Sequence, residues 1–369
     1  MAKAKRAETV YEFFAVSPPG LESVTAQEIA ALGLEPQIRP GGVAFQGGLR
    51  ELYLANLWLR TASRLLLRVA EFYAPSFETL VSRVARYPWE IYLPYASKVR
   101  IRVTCRRSRL YHSGAVAERV LKGIARRLGR ELALTKEEEA PLLVVRLFRD
   151  QALIRVDSSG RDLFKRGYKV ASGPAPLREN LAAALVLLSG WDQKAPFLDP
   201  FCGTGTIVIE AAMIAANLAP GLRRTFAFTS WKNFSPELWE ELRAAAKRLF
   251  QPPEALIWGS DVSEKAIKAA QENACAAGVE EFIRFERADV RQLSPPAPFG
   301  YLVTNPPYGE RLARSIYPIW GRVIREKFSS WKVFFLSPEK APKLGLSLKR
   351  LTSFDHGGLK VSVFGLKGF

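Results

Sequence analysis

The stretch FLDPFCGTGTIVIEAA, Phe197 to Ala212, reads as an apolar strand, a glycine loop and the start of a helix. Asp199 closes the strand. Gly203 and Gly205 flank Thr204, and a loop without side chains at those two positions lets backbone approach a ligand closely. The loop is neither common phosphate cradle. A dinucleotide fingerprint needs a third glycine, where Val208 stands, and a P-loop needs Gly-Lys-Ser/Thr. Gly-x-Gly alone says little, so the flanking sequence decides.

From Leu177 onward, short apolar runs alternate with helical segments: FLDP, ALIWGSD, IRFERADV, YLVTNPP and KVFFLSP. That alternation predicts an α/β fold with a doubly wound parallel sheet. Open sheets of this kind bind ligands at the C-terminal ends of their strands. Asp261 follows the second run, where it can accept bonds from both hydroxyls of a ribose. Asp289 follows the third, where it can read an adenine amino group. Taken singly, each acid serves equally well as a helix cap. Three acids ending three successive strands form a pattern that capping does not explain. The closing RLTSFDHGGLKVSVFGL predicts an antiparallel hairpin turning at residues 356–358.

The fourth run ends in TNPPYGERL, Thr304 to Leu312. An amine on an aromatic base is a poor nucleophile because its lone pair is delocalised into the ring. The Asn305 side-chain oxygen and the Pro306 carbonyl can accept hydrogen bonds from such an amine and free that pair. Pro306 and Pro307 stiffen the loop. Tyr308 can stack on the base, a contact worth ~1–3 kcal/mol in single-strand binders. Methyl transfer from a sulfonium then needs alignment more than a strong base.

The chain has 369 residues, enough for two or three domains, and 48% of them are hydrophobic, so a packed core is expected. No apolar run reaches the ~18 residues of a membrane span. MAKAKRAETV has charge but no apolar core, so no signal peptide is read there. Cys105, Cys202 and Cys275 are widely separated and accompany only two histidines, which argues against a metal site or a disulfide framework. The cytoplasm is the expected compartment. Cys202 lacks the Pro-Cys or Thr-Cys setting of a nucleophile in pyrimidine carbon-5 methylation.

The net charge is +18, and residues 1–170 carry 29 Lys and Arg against 17 Asp and Glu. A field of that sign draws polyanions, nucleic acid first. The densest part, Lys98 to Arg130, has one acid, Glu118. Within it KVRIRVTCRR alternates Val99, Ile101 and Val103 with Arg100, Arg102 and Thr104, a strand with one apolar and one basic face. Residues 11–158 read as α+β with antiparallel strands, and residues 158–176, rich in Gly, Ser and Pro, as a connection.

These motifs together resemble a family. Residues 177–369 are similar to class I S-adenosylmethionine-dependent methyltransferases of the NPPY amino-group type. The whole chain resembles the THUMP-containing RNA guanine-N2 methyltransferases, and within them the large-subunit rRNA branch. The likeness rests on PPGLESV, LWLRTASRLLLRV, SRLYHSGAVAERV, LFKRGYK, APLRENLAAALVLLSGW, DPFCGTGT, IEAAMIAANLAPG, FAFTSWKNF and NPPYGERL. Ala313 departs from the glycine that often follows that last motif.

The resemblance implies a ferredoxin-like portion over 1–60, a THUMP domain over 61–158, a linker over 159–176 and a Rossmann-like methyltransferase domain over 177–369, its seven-stranded sheet ending in an antiparallel strand. It implies S-adenosylmethionine as cofactor, surrounded by Pro176, Arg178, Asn180, Asp199, Phe201, Gly203, Thr204, Gly205, Asp261, Asp289 and Asn305. Asn305, Pro306, Pro307 and Tyr308 would hold the guanine. Lys98, Arg100, Arg102, Arg106, Arg107, Arg109, Lys122, Arg126, Lys165 and Arg166 would contact RNA phosphates. A tRNA guanosine is the nearest alternative substrate. A DNA adenine-N6 methyltransferase and a non-catalytic RNA-binding factor are further ones.

Overall fold

The computed structural model describes residues 9–171, 177–307, 310–338, 342–356 and 358–366, with the backbone alone for 310–315. Eight strands of the first half form one sheet. They are β1 (Tyr11–Val16), β2 (Gln37–Arg39), β3 (Gly42–Gly47), β4 (Arg64–Tyr73), β5 (Lys98–Arg106), β6 (Ala133–Leu134), β7 (Leu142–Phe148) and β8 (Gln151–Asp157), in the order β2-β3-β1-β4-β8-β7-β5-β6. β4 pairs with β1 on one side and β8 on the other, so the sheet has no break near residue 60.

The inward side chains, among them Phe13, Leu65, Leu67, Val145 and Ile154, share one core with the helices α1 (Glu22–Ala31), α2 (Leu49–Trp58), α3 (Phe77–Val84), α4 (Trp89–Tyr92) and α5 (Ser113–Leu128). The expected antiparallel pattern fails at β5, which runs parallel to β6 and β7. The reason is α5. It carries the chain back to the starting edge of the sheet, and a crossover of that kind makes the next strand parallel.

The second half holds α6 (Glu179–Leu188), β9 (Phe197–Asp199), α7 (Thr206–Ala215), α8 (Pro236–Arg248), β10 (Ile257–Asp261), α9 (Glu264–Ala277), β11 (Ile283–Arg287), β12 (Gly300–Thr304), α10 (Glu310–Lys327), β13 (Trp331–Ser337), β14 (Leu348–His356) and β15 (Leu359–Leu366). The sheet order is β11-β10-β9-β12-β13-β15-β14. β9 to β13 are mutually parallel, and β15 enters antiparallel to β13, as the sequence predicts. From β9 the chain steps outward to β10 and β11, then crosses back to β12. The crevice between the C-terminal ends of β9 and β12 is therefore the switch point where this architecture binds ligands.

One segment of the second half packs elsewhere. Between α7 and β10 the chain leaves its own sheet, and Phe226, Phe228, Trp231, Trp239 and Leu242 join the core of the first half. Tyr53 of α2 stacks on Phe228 at 4.6 Å between centroids. Gly221 N–H donates to the Leu57 carbonyl at 2.9 Å, and Phe228 N–H to that of Ser158 at 3.1 Å. α8 itself is well punctuated: Ser235 accepts from Leu238 N–H, Pro236 opens the helix, and Lys247 and Arg248 sit in its last turn.

The two halves also meet through buried charge. Glu210 of α7, fully buried, faces Arg60 at 3.9 Å and Arg166 at 3.5 Å, and accepts from the Tyr168 hydroxyl at 3.1 Å. Arg60 also donates to the Met213 and Leu218 carbonyls.

Candidate active site

Asp199 ends β9 and is 1% exposed. Its carboxylate accepts from Phe201 N–H at 3.0 Å and from the Thr304 hydroxyl. Thr304 is the last residue of β12, so this bond ties the strand carrying Asn305 to the strand carrying the glycine loop. Among the described residues no basic side chain pairs with Asp199. Burial, with Asp261 adding like charge, pushes its pKa up to about 7 although both hydrogen bonds oppose this.

The loop that follows is built for approach. Gly203 has φ +54°, and a Cβ there would meet no atom of the described residues within 4 Å. Gly205 begins α7 at φ +82°. Asp261, the last residue of β10, accepts from Gly203 N–H at 3.1 Å and from Ser263 N–H at 2.9 Å. The cap of α9 is Ser263, whose hydroxyl accepts from Ala266 N–H, so Asp261 is not the helix cap. With one such bond to each oxygen among the described residues, the carboxylate has lone pairs left for ligand hydroxyls. Asp289 lies two residues beyond β11, and both its oxygens already face the Arg291 guanidinium, which holds its carboxyl below the usual range. Val262, between these two acids in the chain, is 63% exposed.

Asn305 and Pro307 are half-buried and Pro306 is buried, directly beyond β12. Pro176 and Tyr308 lie outside the described residues. Phe201 is half-buried and meets Trp320 edge-on at 5.6 Å. Asn180 is 2% exposed and donates to the Thr61 carbonyl, and its oxygen has no partner among the described residues. Arg178 is exposed and lies over the Phe164 ring at 5.2 Å. Burial, then Asp199 and Asp261, push the Cys202 thiol well up, which keeps it protonated and unsuited to nucleophilic attack.

Two residues of the site escape a reading of the sequence. Thr304 is one. Asn273, fully buried in α9, is the other. Its oxygen accepts from Val170 and Ala171 N–H, both at 2.9 Å, and its amide donates to the Ala171 and Thr204 carbonyls at 2.9 and 3.1 Å. It ties the connection between the halves to the glycine loop. Its signal is one asparagine on an otherwise alanine-rich helix face.

The basic set divides. Arg100 and Arg166 are interior residues and are withdrawn from any RNA surface. Arg100 donates to the Ala140 carbonyl, and Arg166 to the carbonyls of Arg60 and Leu163. Lys98 and Lys165 pair with Glu137 and Glu138 on the surface, and Arg109 lies 3.7 Å from Asp150. Arg102, Arg106 and Arg107 are exposed at β5, whereas Lys122 and Arg126 are exposed on α5, which packs against the apolar side of that strand. His112 is structural: its Nδ1 accepts from Ala115 N–H and caps α5.

A family model described as RMKL-like, methyltransferase domain matches residues 166–356, more than half of the chain. The chain belongs to the RMKL-like methyltransferase family. An RlmL ferredoxin-like domain model matches residues 12–66. The chain is 39% identical to the ribosomal RNA large subunit methyltransferase K/L of Syntrophotalea carbinolica, over 95% of its own length and 52% of that protein's. It is 37% identical to a putative RNA methyltransferase, YpsC, of Bacillus subtilis, over 89% of its own length and 88% of that protein's. It thus spans about half of the first relative and most of the second. The crystal structure of SMU.472, a putative methyltransferase complexed with SAH, superposes with a TM-score of 0.85 at 32% identity, covering 98% of this chain and 99% of that one. The second half of this RMKL-like methyltransferase has the class I, Rossmann-like fold.

Proposed function

We propose that this chain transfers a methyl group from S-adenosylmethionine to the exocyclic N2 amine of a guanosine in large-subunit ribosomal RNA. The observation that carries the reading is the Thr304–Asp199 bond, which sets Asn305-Pro306 beside the glycine loop at the switch point. When bound, S-adenosylmethionine supplies an electrophilic methyl group on a sulfonium. The buried Asp199 carboxyl, with no basic partner among the described residues, fits the positive charge of such a ligand. Gly203 and Gly205 bring backbone close to it, Asp261 accepts from ribose hydroxyls, and Asp289 faces the adenine. The Asn305 oxygen and the Pro306 carbonyl accept from the guanine amine and localise its lone pair, and Tyr308 stacks on the base. Residues 61–158, as a THUMP domain, hold the RNA.

Incubation with labelled S-adenosylmethionine and unmodified rRNA or tRNA, then digestion to nucleosides, tests this. Labelled N2-methylguanosine in large-subunit rRNA is the expected result. The same nucleoside in tRNA alone overturns the substrate, and labelled N6-methyladenosine overturns the chemistry.

A further inference from the structure

The eight-stranded sheet has a second face, turned away from the core, and its residues line up across four strands. Arg106 of β5, Phe148 of β7, Gln151 of β8 and Tyr73 of β4 make one row. Further along β5, Arg102 opens a row that contains Arg155 and Arg68. Arg146 lies between the rows. The far end of this face is closed, because Arg64 and Asp157 pair there in the interior and Arg100 is buried. The near end is open: Arg102, Arg106, Arg146 and Gln151 are exposed, and Tyr73 is 49% exposed.

Charge and rings are interleaved on this platform. Arg146 and Arg149 lie 5.7 and 5.3 Å from the Phe148 centroid. Apart from the buried Asp157, the acids of these strands on the face are Glu12 and Glu71, both engaged by Arg68, at 3.0 and 2.8 Å. Arg102, Arg106 and Arg146 have no carboxylate partner among the described residues. Three unneutralised guanidiniums beside the half-buried Phe148 ring and the exposed Tyr73 ring suit a polyanion that also offers flat apolar faces. A double helix hides those faces in its stack; unpaired RNA exposes them. Phe148 and Tyr73 stand two strands apart, about 10 Å, so each ring takes its own base.

We propose that this open sheet face binds unpaired nucleotides of the RNA substrate, with bases stacked on Phe148 and Tyr73 and phosphates held by Arg102, Arg106 and Arg146. The inference rests on RNA being the substrate and adds where, and in what form, it is held.

The test uses the full chain, a fluorescent twelve-nucleotide uridine single strand and an RNA duplex of equal length, with affinity measured across a salt series. The single strand should bind more tightly than the duplex. Phe148→Leu should weaken single-strand binding about tenfold without changing the salt slope, as expected when one stacked ring is removed. Arg106→Gln with Arg146→Gln should lower the slope by about 1.4, ~0.7 for each phosphate left without its guanidinium. Melting temperature and S-adenosylhomocysteine binding should match the unaltered protein, which excludes misfolding. Single-strand binding absent from the unaltered protein, or equal in all three proteins, overturns this surface. Methylation of rRNA by the unaltered protein is scored separately, so the surface can fail while the methyltransferase reading stands.

Discussion

At the scale of single residues, the proposed reaction divides the labour between Asp199 and Asn305. Asn305→Ala should remove methyl transfer by at least a hundredfold, in line with the loss of one oriented polar group at a reacting centre, on the order of 2.7–4 kcal/mol. RNA affinity should stay within twofold. A labelled-donor assay beside an RNA titration reads both, and equal activity in the variant would defeat the amine-activation reading. Asp199 makes a pH prediction. Its carboxyl, raised to about 7, binds a proton more readily when folded than when unfolded. Stability from this group is therefore present below about pH 4 and is lost as pH rises through 7. Of its titratable neighbours, Asp261 adds like charge and Cys202 stays protonated, so neither offsets the trend. Asp199→Asn should melt higher than the parent at pH 8, by on the order of 1 kcal/mol, and should bind S-adenosylhomocysteine more weakly. In the parent, that affinity should fall as pH drops below 7, and calorimetry in paired buffers should detect proton release on binding.

At the scale of elements, α9 does more than cover the sheet. Asn273 directs all four of its hydrogen bonds to the connection and the glycine loop. Asn273→Ala should raise the KM for S-adenosylmethionine roughly tenfold, the loss of about 1.4 kcal/mol, one net hydrogen bond, and leave kcat within twofold. A fall in kcat at saturating donor would give it a different role. Where the segment before α8 crosses α2, a Cβ on Gly221 would lie 2.8 Å from the Leu57 backbone. Gly221→Ala should cost about 1–3 kcal/mol, read by chemical denaturation, with no change in nucleoside product. The sequence shows the elements themselves well, because period-two runs and helix punctuation are local. It does not show which ends of a face are covered. Arg100 and Arg102 occupy equivalent places in one alternation, and only the Ala140 carbonyl and the buried Arg64–Asp157 pair separate them. Thr304 and Asn273 stay hidden for the same reason: the partner that makes each matter is distant in the chain.

At the scale of the whole molecule, the halves are joined by a charged core. Among the described residues, Glu210 is the acid that ion-pairs with both Arg60 and Arg166, two guanidiniums buried at this junction. Glu210→Gln leaves them without that countercharge and should cost about 3–5 kcal/mol. Glu241→Gln, at the exposed pair with Arg50, should cost under ~1 kcal/mol. Similar melting curves for the two variants would show the junction to be held by packing alone. Position along the chain misleads here as well. The segment after α7 stands between two strands of the methyltransferase sheet, yet its aromatics complete the other core.

That crossing imposes an order of events during synthesis. The strands of the first sheet are complete at Asp157, but Tyr53 gains Phe228 and Trp239 only about eighty residues later. At ~5–20 residues per second, the nascent sheet waits roughly 4 to 16 seconds with an apolar wall uncovered. During that interval it is a client for whatever holds unfinished chains apart, and slowing translation after Asp157 should lower the yield of native protein more than slowing it after Trp239.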